Sequence, residues 1–523
     1  MATVVVVGAG VGGLAAAARL AAAGHRVTVC EAAERIGGKL GWYERDGYGF
    51  DTGPSLLTMP EVFEELFAAT GGPLGGQLTL RRLDPIAAYR FADGTTVNAH
   101  ADDTAFHAEL DAKLGAGAGA QWRRLDERAR RVWAVSEQPF LRSPVSAAAL
   151  ARTAARRPLG LATVAPGTTL RGLGRRHLTD PRLRVMLDRY ATYTGSDPRR
   201  APAALVTVPH AERRFGGWYV PGGLRLLGQA IAGRATEHGA VIRTGAPVAR
   251  ITRAPGGRVD GVRLADGTLL AADLVVSDVD AARLYDGAPP AAPGRAGPRP
   301  LVDHPASRRR IRRLAPSLSG FVLLLALCGR TPGLAHHTVL FPADYDAEFD
   351  AVFGGRLAWD PTVYIAAPDD PATAPPGDEA WFVLVNASPH TAAAGPGSGT
   401  GGSDSGGSDS GPRGPGVDWD RPGLADAYAH RVLEVLAARG LDVRARVRWY
   451  RTISPADLAR ATGSVGGSIY GVSSNGPRSA FLRPRNRSPV PGLFLVGGSA
   501  HPGGGLPLVT LSAKIVAELI GPA

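Results

Sequence analysis

The most constraining feature of the chain is a glycine-rich turn directly after its first apolar run. Val4 to Val7 are four β-branched residues, typical of a parallel strand buried on both faces, and Gly8-Ala9-Gly10-Val11-Gly12-Gly13 follows at once. An Ala/Leu-rich helix over Leu14 to Ala23 and a second strand over Arg26 to Cys30 complete a βαβ unit. The glycines allow the tight turn, let the backbone reach a pyrophosphate, and let the helix pack closely on the strand. The sequence therefore predicts a Rossmann-like dinucleotide-binding domain.

An acidic residue strengthens this prediction, because the glycine pattern alone has low specificity. Glu31 ends the second strand, where a carboxylate can accept hydrogen bonds from the hydroxyls of an adenosine ribose. The same carboxylate repels a 2′-phosphate, so NADP is disfavoured at this site. The alternative to a cofactor site is a glycine-rich helix start beside a solvated Glu. That alternative requires the strand, the glycines and the acid to occur together by chance.

The far end of the chain has a similar pattern, with a strand over Leu493 to Val496, a glycine-rich turn, and a helix over Val509 to Ile520. Further strands are predicted at 241–243, 248–251 and 272–278, together with a hairpin around Asp266-Gly267. We expect the two ends to be neighbouring parts of one sheet. Residues 1–95, 216–299 and 470–523 then form a discontinuous α/β nucleotide-binding domain, 96–215 an inserted helical region, and 300–469 a mixed α+β substrate domain.

Composition narrows the function classes. Two cysteines among 523 residues cannot form a disulfide framework and suit a reducing cytoplasm. We expect neither a signal peptide nor a membrane-spanning helix. The formal charge of +12 reflects either an arginine-rich coding bias or an anionic partner. Residues 395–416 are almost pure Gly, Ser, Asp and Pro, which predicts a disordered surface loop.

Two segments that follow Glu31 distinguish a flavin from a nicotinamide cofactor. They are Glu34-Arg35-Ile36-Gly37-Gly38-Lys39-Leu40 and Phe50-Asp51-Thr52-Gly53-Pro54-Ser55. Here the sequence resembles the FAD-dependent family of phytoene and other carotenoid desaturases, within the amine-oxidase-like flavoprotein clan. The resemblance implies that Arg35, Gly38, Lys39 and Leu40 follow the FAD diphosphate. It also implies that Gly53, Pro54 and Ser55 pass close to the isoalloxazine ring.

The resemblance extends to the C-terminus, where 492–507 is similar to the desaturase segment that closes over the flavin. Many flavoproteins of the clan have an Asp where this chain has Ser499, which leaves open the group that orders the ribityl chain. A helix begins at Leu506-Pro507 and would direct its free N–H donors at the flavin. The segment 217–224 resembles one that lies near the substrate entrance and the flavin. The remaining predicted cofactor-binding residues are Val248, Gly497, Gly498, Ser499, Gly505, Leu506, Pro507 and Val509.

A desaturase function implies an apolar channel, because a linear carotene offers almost no polar group. We hypothesise that a hydride leaves a saturated carbon for the flavin N5 and that the adjacent carbon then loses a proton. The intermediate cation is delocalised over the polyene, so no strong base is required and no catalytic residue is certain. Asp51, beside the presumed flavin, is a weak candidate for the proton acceptor. His501 could serve as a general base, but a lone His more often has a structural role. Oxygen and quinones are both candidates for reoxidising FAD, and no metal site is expected.

Membrane contact is expected from residues 142–177, where short apolar runs alternate with arginines. An exposed Arg-bearing helical lobe fits the same pattern, and the family resemblance favours docking to a membrane. We therefore expect a cytoplasmic protein attached peripherally to the inner face of the cell membrane, with a carotene partner and no nucleic acid. A soluble amine oxidase and a non-enzymatic lipid carrier of the same fold remain alternatives, and the oligomeric state stays open.

Overall fold

The structure, a computed structural model, describes residues 1–145, 164–287, 299–391, 416–476 and 479–523. The predicted loop 395–416 lies outside these residues except for Gly416, and so does the 146–163 part of the predicted membrane-contact region. No helix in the described ranges is long and apolar enough to cross a bilayer.

The strands of the described residues are β1 Thr3–Val7, β2 Arg26–Cys30, β3 Trp42–Arg45, β4 Tyr48–Asp51, β5 Arg81–Arg82, β6 Ala87–Arg90, β7 Thr96–Ala99, β8 Trp218–Tyr219, β9 Val241–Arg243, β10 Val248–Arg253, β11 Val259–Leu264, β12 Leu269–Ala271, β13 Leu274–Ser277, β14 Ser319–Leu327, β15 His337–Leu340, β16 Val363–Ala366, β17 Glu379–Ala387, β18 Val447–Ile453 and β19 Leu493–Leu495.

The α-helices of the same residues are α1 Val11–Ala22, α2 Pro60–Ala69, α3 Asp103–Leu114, α4 Ala118–Ser136, α5 Leu170–His177, α6 Pro181–Asp188, α7 Thr207–Phe215, α8 Arg225–Glu237, α9 Ala281–Asp286, α10 Pro305–Arg312, α11 Tyr345–Phe353, α12 Leu424–Ala438, α13 Pro455–Thr462, α14 Ser479–Leu482 and α15 Leu506–Ile520. Shorter turns include a 3-10 helix at Arg189–Thr194 and a π-helical turn at Glu137–Leu141.

A five-stranded parallel sheet forms the first domain, in the order β19-β13-β1-β2-β9. The valines of β1 are buried because α1 covers one face of the sheet, where α8 and α15 pack against α1. The α/β nucleotide-binding architecture is therefore as predicted, and both chain ends belong to one sheet. They are not neighbours, however, since β13 pairs with β1 on one side and with β19 on the other.

A seven-stranded mixed sheet forms the second domain, in the order β18-β14-β17-β16-β15-β6-β7. All nine residues of β14 are buried, as its unbroken apolar run requires. Strand β6 pairs in parallel with β15, almost 250 residues later in the chain. The domain boundary predicted at residue 95 is therefore wrong, because the second sheet already includes residues 87–99.

The inserted helical region packs on the β6–β7 edge of the second sheet. Its core joins Phe106 and Trp122 of α3 and α4 to Tyr89 and Phe341 beside the sheet. A separate three-stranded antiparallel sheet, β10-β11-β12, contains the predicted hairpin. The two large sheets leave a long cavity between them, into which the carboxyl ends of β1, β2 and β13 point.

Candidate functional site

A single cavity of about 1600 Å³ connects the glycine turn after β1 with the second sheet. Most of the predicted cofactor-binding residues lie on its wall, from five separated stretches of the chain. These are Gly8, Gly10, Val11, Gly12, Glu31, Arg35, Gly38, Lys39, Leu40, Gly53, Pro54, Ser55, Val248, Gly498, Ser499, Gly505, Leu506, Pro507 and Val509. The fold thus brings together segments that the sequence separates by almost 500 residues.

The glycine turn fits closely against its own strand. A Cβ on Gly13 would lie 2.1 Å from the carbonyl oxygen of Gly8, so α1 could not keep its position with a larger residue there. Gly8 itself has a φ of +101°, which favours glycine. Gly13 lies behind the cavity wall and serves the packing of helix on strand, as predicted.

Asp278, which follows β13, explains three further glycines. Its carboxylate oxygens lie 2.4 Å from the position of a Cβ on Gly10, 2.8 Å from one on Gly12 and 2.0 Å from one on Gly497. Asp278 also lines the cavity. Burial raises its pKa to about 7, while the backbone amides of Gly13 and Gly10 act in the opposite direction. Asp278 was not predicted as a site residue from the sequence, although it follows a buried strand just as Glu31 does.

Glu31 is held rigidly at the end of β2. Its Oε2 accepts a hydrogen bond from the Ala9 amide at 2.7 Å, and its Oε1 accepts one from the Ala33 amide at 2.9 Å. Each carboxylate oxygen can accept a second hydrogen bond, so capacity remains for ribose hydroxyls at the cavity wall.

The two cations predicted to face a diphosphate behave differently. The Nζ of Lys39 donates to the carbonyl oxygens of Ser468 at 3.0 Å and Ile469 at 2.5 Å, and burial lowers the pKa of its ammonium group. Arg35 is exposed at the cavity rim. Lys39 therefore joins the segment after β2 to the chain that follows α13, and Arg35 keeps its guanidinium for an anionic ligand.

In the segment predicted near the flavin ring, Ser55 lines the cavity and Asp51 lies behind the cavity wall. Ser55 lines the cavity, and its hydroxyl bonds to the hydroxyl of Tyr364 at 2.7 Å. Asp51 lies behind the wall, where its Oδ2 accepts from the Leu224 amide at 2.9 Å. Burial raises the pKa of Asp51 to about 6. This position favours a structural role for Asp51, and its part in proton transfer stays a prediction.

The C-terminal segment closes one side of the cavity. Gly505 precedes α15, and Leu506 and Pro507 form the first turn of that helix at the wall. The hydroxyl of Ser499 accepts a hydrogen bond from the Ala281 amide at 2.9 Å. Ser499 therefore anchors the start of α9, and its hydroxyl hydrogen remains available as a donor.

Arg483 is a second residue that the sequence analysis missed. It is buried on the cavity wall and donates to the carbonyl oxygens of Tyr470 at 3.0 Å, Gly498 at 2.9 Å and Val472 at 2.6 Å. Burial lowers the pKa of its guanidinium to about 10. A single Arg between unremarkable neighbours carries no sequence signal for this role.

The structure places two further residues or segments that were singled out in the sequence. The segment 217–224 does not line the cavity, and Asp370 holds it by accepting from the Tyr219 hydroxyl and the Gly222 amide, each at 2.7 Å. His501 is buried with its Nε2 beside the Ser143 carbonyl oxygen at 3.0 Å, and burial lowers its pKa to about 4. A neutral, buried His501 fits the structural role that was expected.

The other half of the cavity is apolar. The second sheet contributes Val322, Val339, Phe382 and Leu384, and α7 contributes Val208 and Ala211. The wall reaches the surface at Phe481, which lines the cavity and is 42% exposed. The ring of Phe481 packs edge-on against Phe140 with centroids 5.7 Å apart. A long apolar molecule therefore has both a channel and an opening.

The residues present fit FAD. A glycine turn that a single Cβ would block, a fixed acid at the end of β2 and a helix start at Leu506 meet in one cavity, as a flavin dinucleotide requires. These groups would hold the diphosphate, the ribose and the ring, respectively.

Comparison with known proteins agrees with this geometry. Residues 11–320 match the family described as flavin containing amine oxidoreductase. Among solved structures, an oxidoreductase from Methanosarcina mazei has a TM-score of 0.60 at 17% identity, covering 99% of this chain and all of the other. Cyclohexylamine oxidase from Brevibacterium oxydans has a TM-score of 0.57 at 18% identity, covering 99% of each chain. At such low identity, these structures support the fold alone.

Curated relatives are closer in sequence and match over nearly their whole length. Hydroxyneurosporene desaturase of Cereibacter sphaeroides is 35% identical over 99% of this chain and 97% of its own. The 4,4′-diapolycopene oxygenase of a Methylomonas species is 34% identical over the same shares. The zeta-carotene-forming phytoene desaturase of Myxococcus xanthus is 33% identical over 98% of this chain and 93% of its own. The chain therefore belongs to the flavin-containing amine oxidoreductase family and, within it, to the carotenoid desaturases and oxygenases.

Proposed function

We propose that this protein is an FAD-dependent enzyme of carotenoid biosynthesis that desaturates a linear carotene such as phytoene. The observation that carries the proposal is the single cavity in which a glycine-lined flavin site continues into an apolar channel. The relatives named above support the same substrate class, since their names specify carotenoids.

The reaction removes a hydride from one saturated carbon and a proton from its neighbour, and the electron pair of the second C–H bond becomes the new double bond. FAD, when bound, supplies the acceptor for the hydride. The chain's own contribution is to position the polyene and to exclude water, which would otherwise attack the cationic carbon. Val322, Phe382 and Leu384 of the second sheet supply apolar wall for this purpose.

We also propose peripheral attachment to the inner face of the membrane. Phe481 and Leu482 are 42% and 43% exposed beside the cavity opening, and Arg309, Arg310 and Arg313 are exposed on and just after α10. The Nη2 of Arg310 donates to the Leu482 carbonyl oxygen at 3.2 Å, so the basic helix α10 and the apolar pair are adjacent. Exposed apolar side chains beside a basic helix suit an anionic lipid surface.

Pigment analysis tests the enzymatic proposal. Co-expression with a phytoene-producing pathway should give carotenes with a longer conjugated chromophore than control cells that carry the pathway without this protein. The purified protein should show FAD absorption bands. With the purified enzyme and carotene in liposomes, oxygen and a quinone analogue are compared as the final oxidant.

An amine oxidase of the same fold is the competing outcome. If no carotene gains a double bond while small amines bleach the flavin, the protein is an amine oxidase. A protein that purifies without flavin and cannot take it up would instead be a lipid carrier.

A further inference from the structure

A group of charged and hydroxyl side chains interrupts the apolar part of the cavity wall. Arg189 and Tyr193 come from the 3-10 helix Arg189–Thr194, and Glu212 comes from α7; all three line the cavity. We name these three residues the polar cluster. Arg189 and Glu212 are only 6% and 4% exposed, so their charges lie inside the protein and not at its rim.

The polar cluster is ordered by hydrogen bonds. The Tyr193 hydroxyl accepts from the Nη2 of Arg189 at 2.6 Å and lies 3.2 Å from the Oε2 of Glu212, to which it donates. Burial raises the pKa of Tyr193 well above its usual value, so this hydroxyl keeps its proton. Tyr193 therefore links the cation to the carboxylate at the cavity wall.

Two buried tyrosines support the polar cluster from behind the wall. The Tyr89 hydroxyl accepts from the Nη1 of Arg189 at 2.9 Å, and the Tyr190 hydroxyl donates to the Oε1 of Glu212 at 2.7 Å. The guanidinium carbon of Arg189 lies 5.0 to 5.2 Å from the ring centroids of Tyr89, Tyr190 and Tyr193. A guanidinium has five N–H donors and a carboxylate about four acceptor positions, so these contacts leave both unsaturated.

A pure hydrocarbon is a poor partner for this stretch of wall. A polyene lying against the polar cluster would displace water without replacing its hydrogen bonds, and each unsatisfied buried polar group is costly. A hydroxyl group both accepts and donates, so it can bond to a donor of Arg189 or Tyr193 and to Glu212 at once. A carbonyl oxygen could use only the donors.

The polar cluster also lies near the predicted position of the flavin. Tyr89, which bonds to Arg189, lies opposite Val339 of β15, and Val339 lies opposite Tyr364 of β16. Tyr364 in turn bonds to Ser55, which belongs to the segment predicted beside the isoalloxazine ring. The polar cluster and the Ser55 segment therefore belong to neighbouring parts of one cavity wall.

We infer that Arg189, Tyr193 and Glu212 form a subsite that binds a hydroxyl at one end of an acyclic carotene. The inference rests on the proposed function and specifies its substrate: a carotene that already carries an oxygen at one end and is desaturated near that end. The reaction that supplies this substrate must then be a hydration or hydroxylation of an acyclic carotene.

The test compares an acyclic carotene that has one terminal hydroxyl with its unsubstituted parent, both in liposomes with the FAD-loaded enzyme. We expect kcat/KM to favour the hydroxylated substrate by at least about tenfold, since one neutral and one charged hydrogen bond are gained. Tyr193→Phe should lower this preference by about fivefold. Tyr428→Phe is the control, because the Tyr428 hydroxyl donates to the Ala358 carbonyl oxygen in the core of the second domain and does not line the cavity. This variant should keep the wild-type preference.

A second readout does not depend on turnover. Binding of both carotenes to the dithionite-reduced enzyme, which cannot accept a hydride, is measured by the shift of the polyene absorption. The same preference and the same contrast between the two variants are expected. Equal use of both carotenes, or an equal effect of Tyr428→Phe and Tyr193→Phe, would overturn the inference and leave the proposed function intact. If neither carotene is bound or desaturated by enzyme that holds FAD, the proposed function itself fails.

Discussion

Asp278 packs directly against the glycine turn that would hold the FAD diphosphate. Burial and the neighbouring Glu31 raise its pKa to about 7, whereas Lys39 and the backbone amides of Gly10 and Gly13 limit the rise. Its carboxyl group is therefore half ionised near neutral pH. In its neutral form it packs against the glycines without repelling the cofactor, and in its ionised form it places a negative charge beside two phosphates.

The affinity for FAD should consequently fall as the pH rises through 7. We expect the Kd of the apo protein for FAD, measured by quenching of flavin fluorescence, to rise about tenfold between about pH 5.5 and pH 8.5. Asp278→Asn keeps the shape of the side chain without the charge, so its Kd should stay nearly constant over this range. A parallel rise in the wild type and the variant would show that another group is responsible.

Lys39 shows how one buried ammonium group can join two parts of the chain. Lys39→Met leaves the carbonyl oxygens of Ser468 and Ile469 without their donor. The free energy of unfolding should fall by about 1 to 3 kcal/mol, and FAD should be retained less well. Lys113→Met, at an exposed position of α3, is the matched control and should change stability by less than about 0.5 kcal/mol. Urea unfolding of the two apo variants provides the comparison, and equal midpoints would contradict the role given to Lys39.

The approach of α1 to β1 determines the shape of the diphosphate site. Gly13→Ala would place a Cβ 2.1 Å from the Gly8 carbonyl oxygen, so the helix must shift away from the strand. We expect a loss of about 1 to 3 kcal/mol in stability and weaker FAD binding. Gly233→Ala in α8 is the control, because nothing lies within 4 Å of its added Cβ. That variant should gain about 0.5 to 1 kcal/mol, since alanine favours a helix more than glycine does. Thermal unfolding measures both changes, and a Gly13→Ala protein as stable as the wild type would refute the packing argument.

Local sequence patterns account for the first domain better than for the second. The strand, glycine turn and acid at Glu31 are consecutive in the chain, so their grouping could be predicted before any long-range contact was known. The pairing of β6 with β15 joins residues almost 250 positions apart, and neither strand is long enough to reveal its partner. The polar cluster could not be predicted either, because Arg189 and Glu212 are joined through Tyr193 only when the 3-10 helix Arg189–Thr194 packs against α7.

The whole molecule combines a long apolar cavity with an opening at its surface, and the surroundings of that opening predict where lipid would contact the protein. Phe481→Glu combined with Leu482→Glu puts two charges where apolar side chains would enter the bilayer. Binding to vesicles of phosphatidylcholine and phosphatidylglycerol, measured by co-sedimentation, should fall at least about tenfold.

Trp359→Glu is the control for this pair, because Trp359 is an even more exposed apolar side chain, 68% exposed, and packs against Arg431 in the second domain. Its vesicle binding should equal that of the wild type. Raising the salt concentration should weaken the binding of the wild type, since Arg309, Arg310 and Arg313 would attract the anionic headgroups. If the double variant and Trp359→Glu lose binding equally, contact is non-specific and the cavity does not open towards lipid; if only the double variant loses it, substrate can pass from the bilayer directly into the channel.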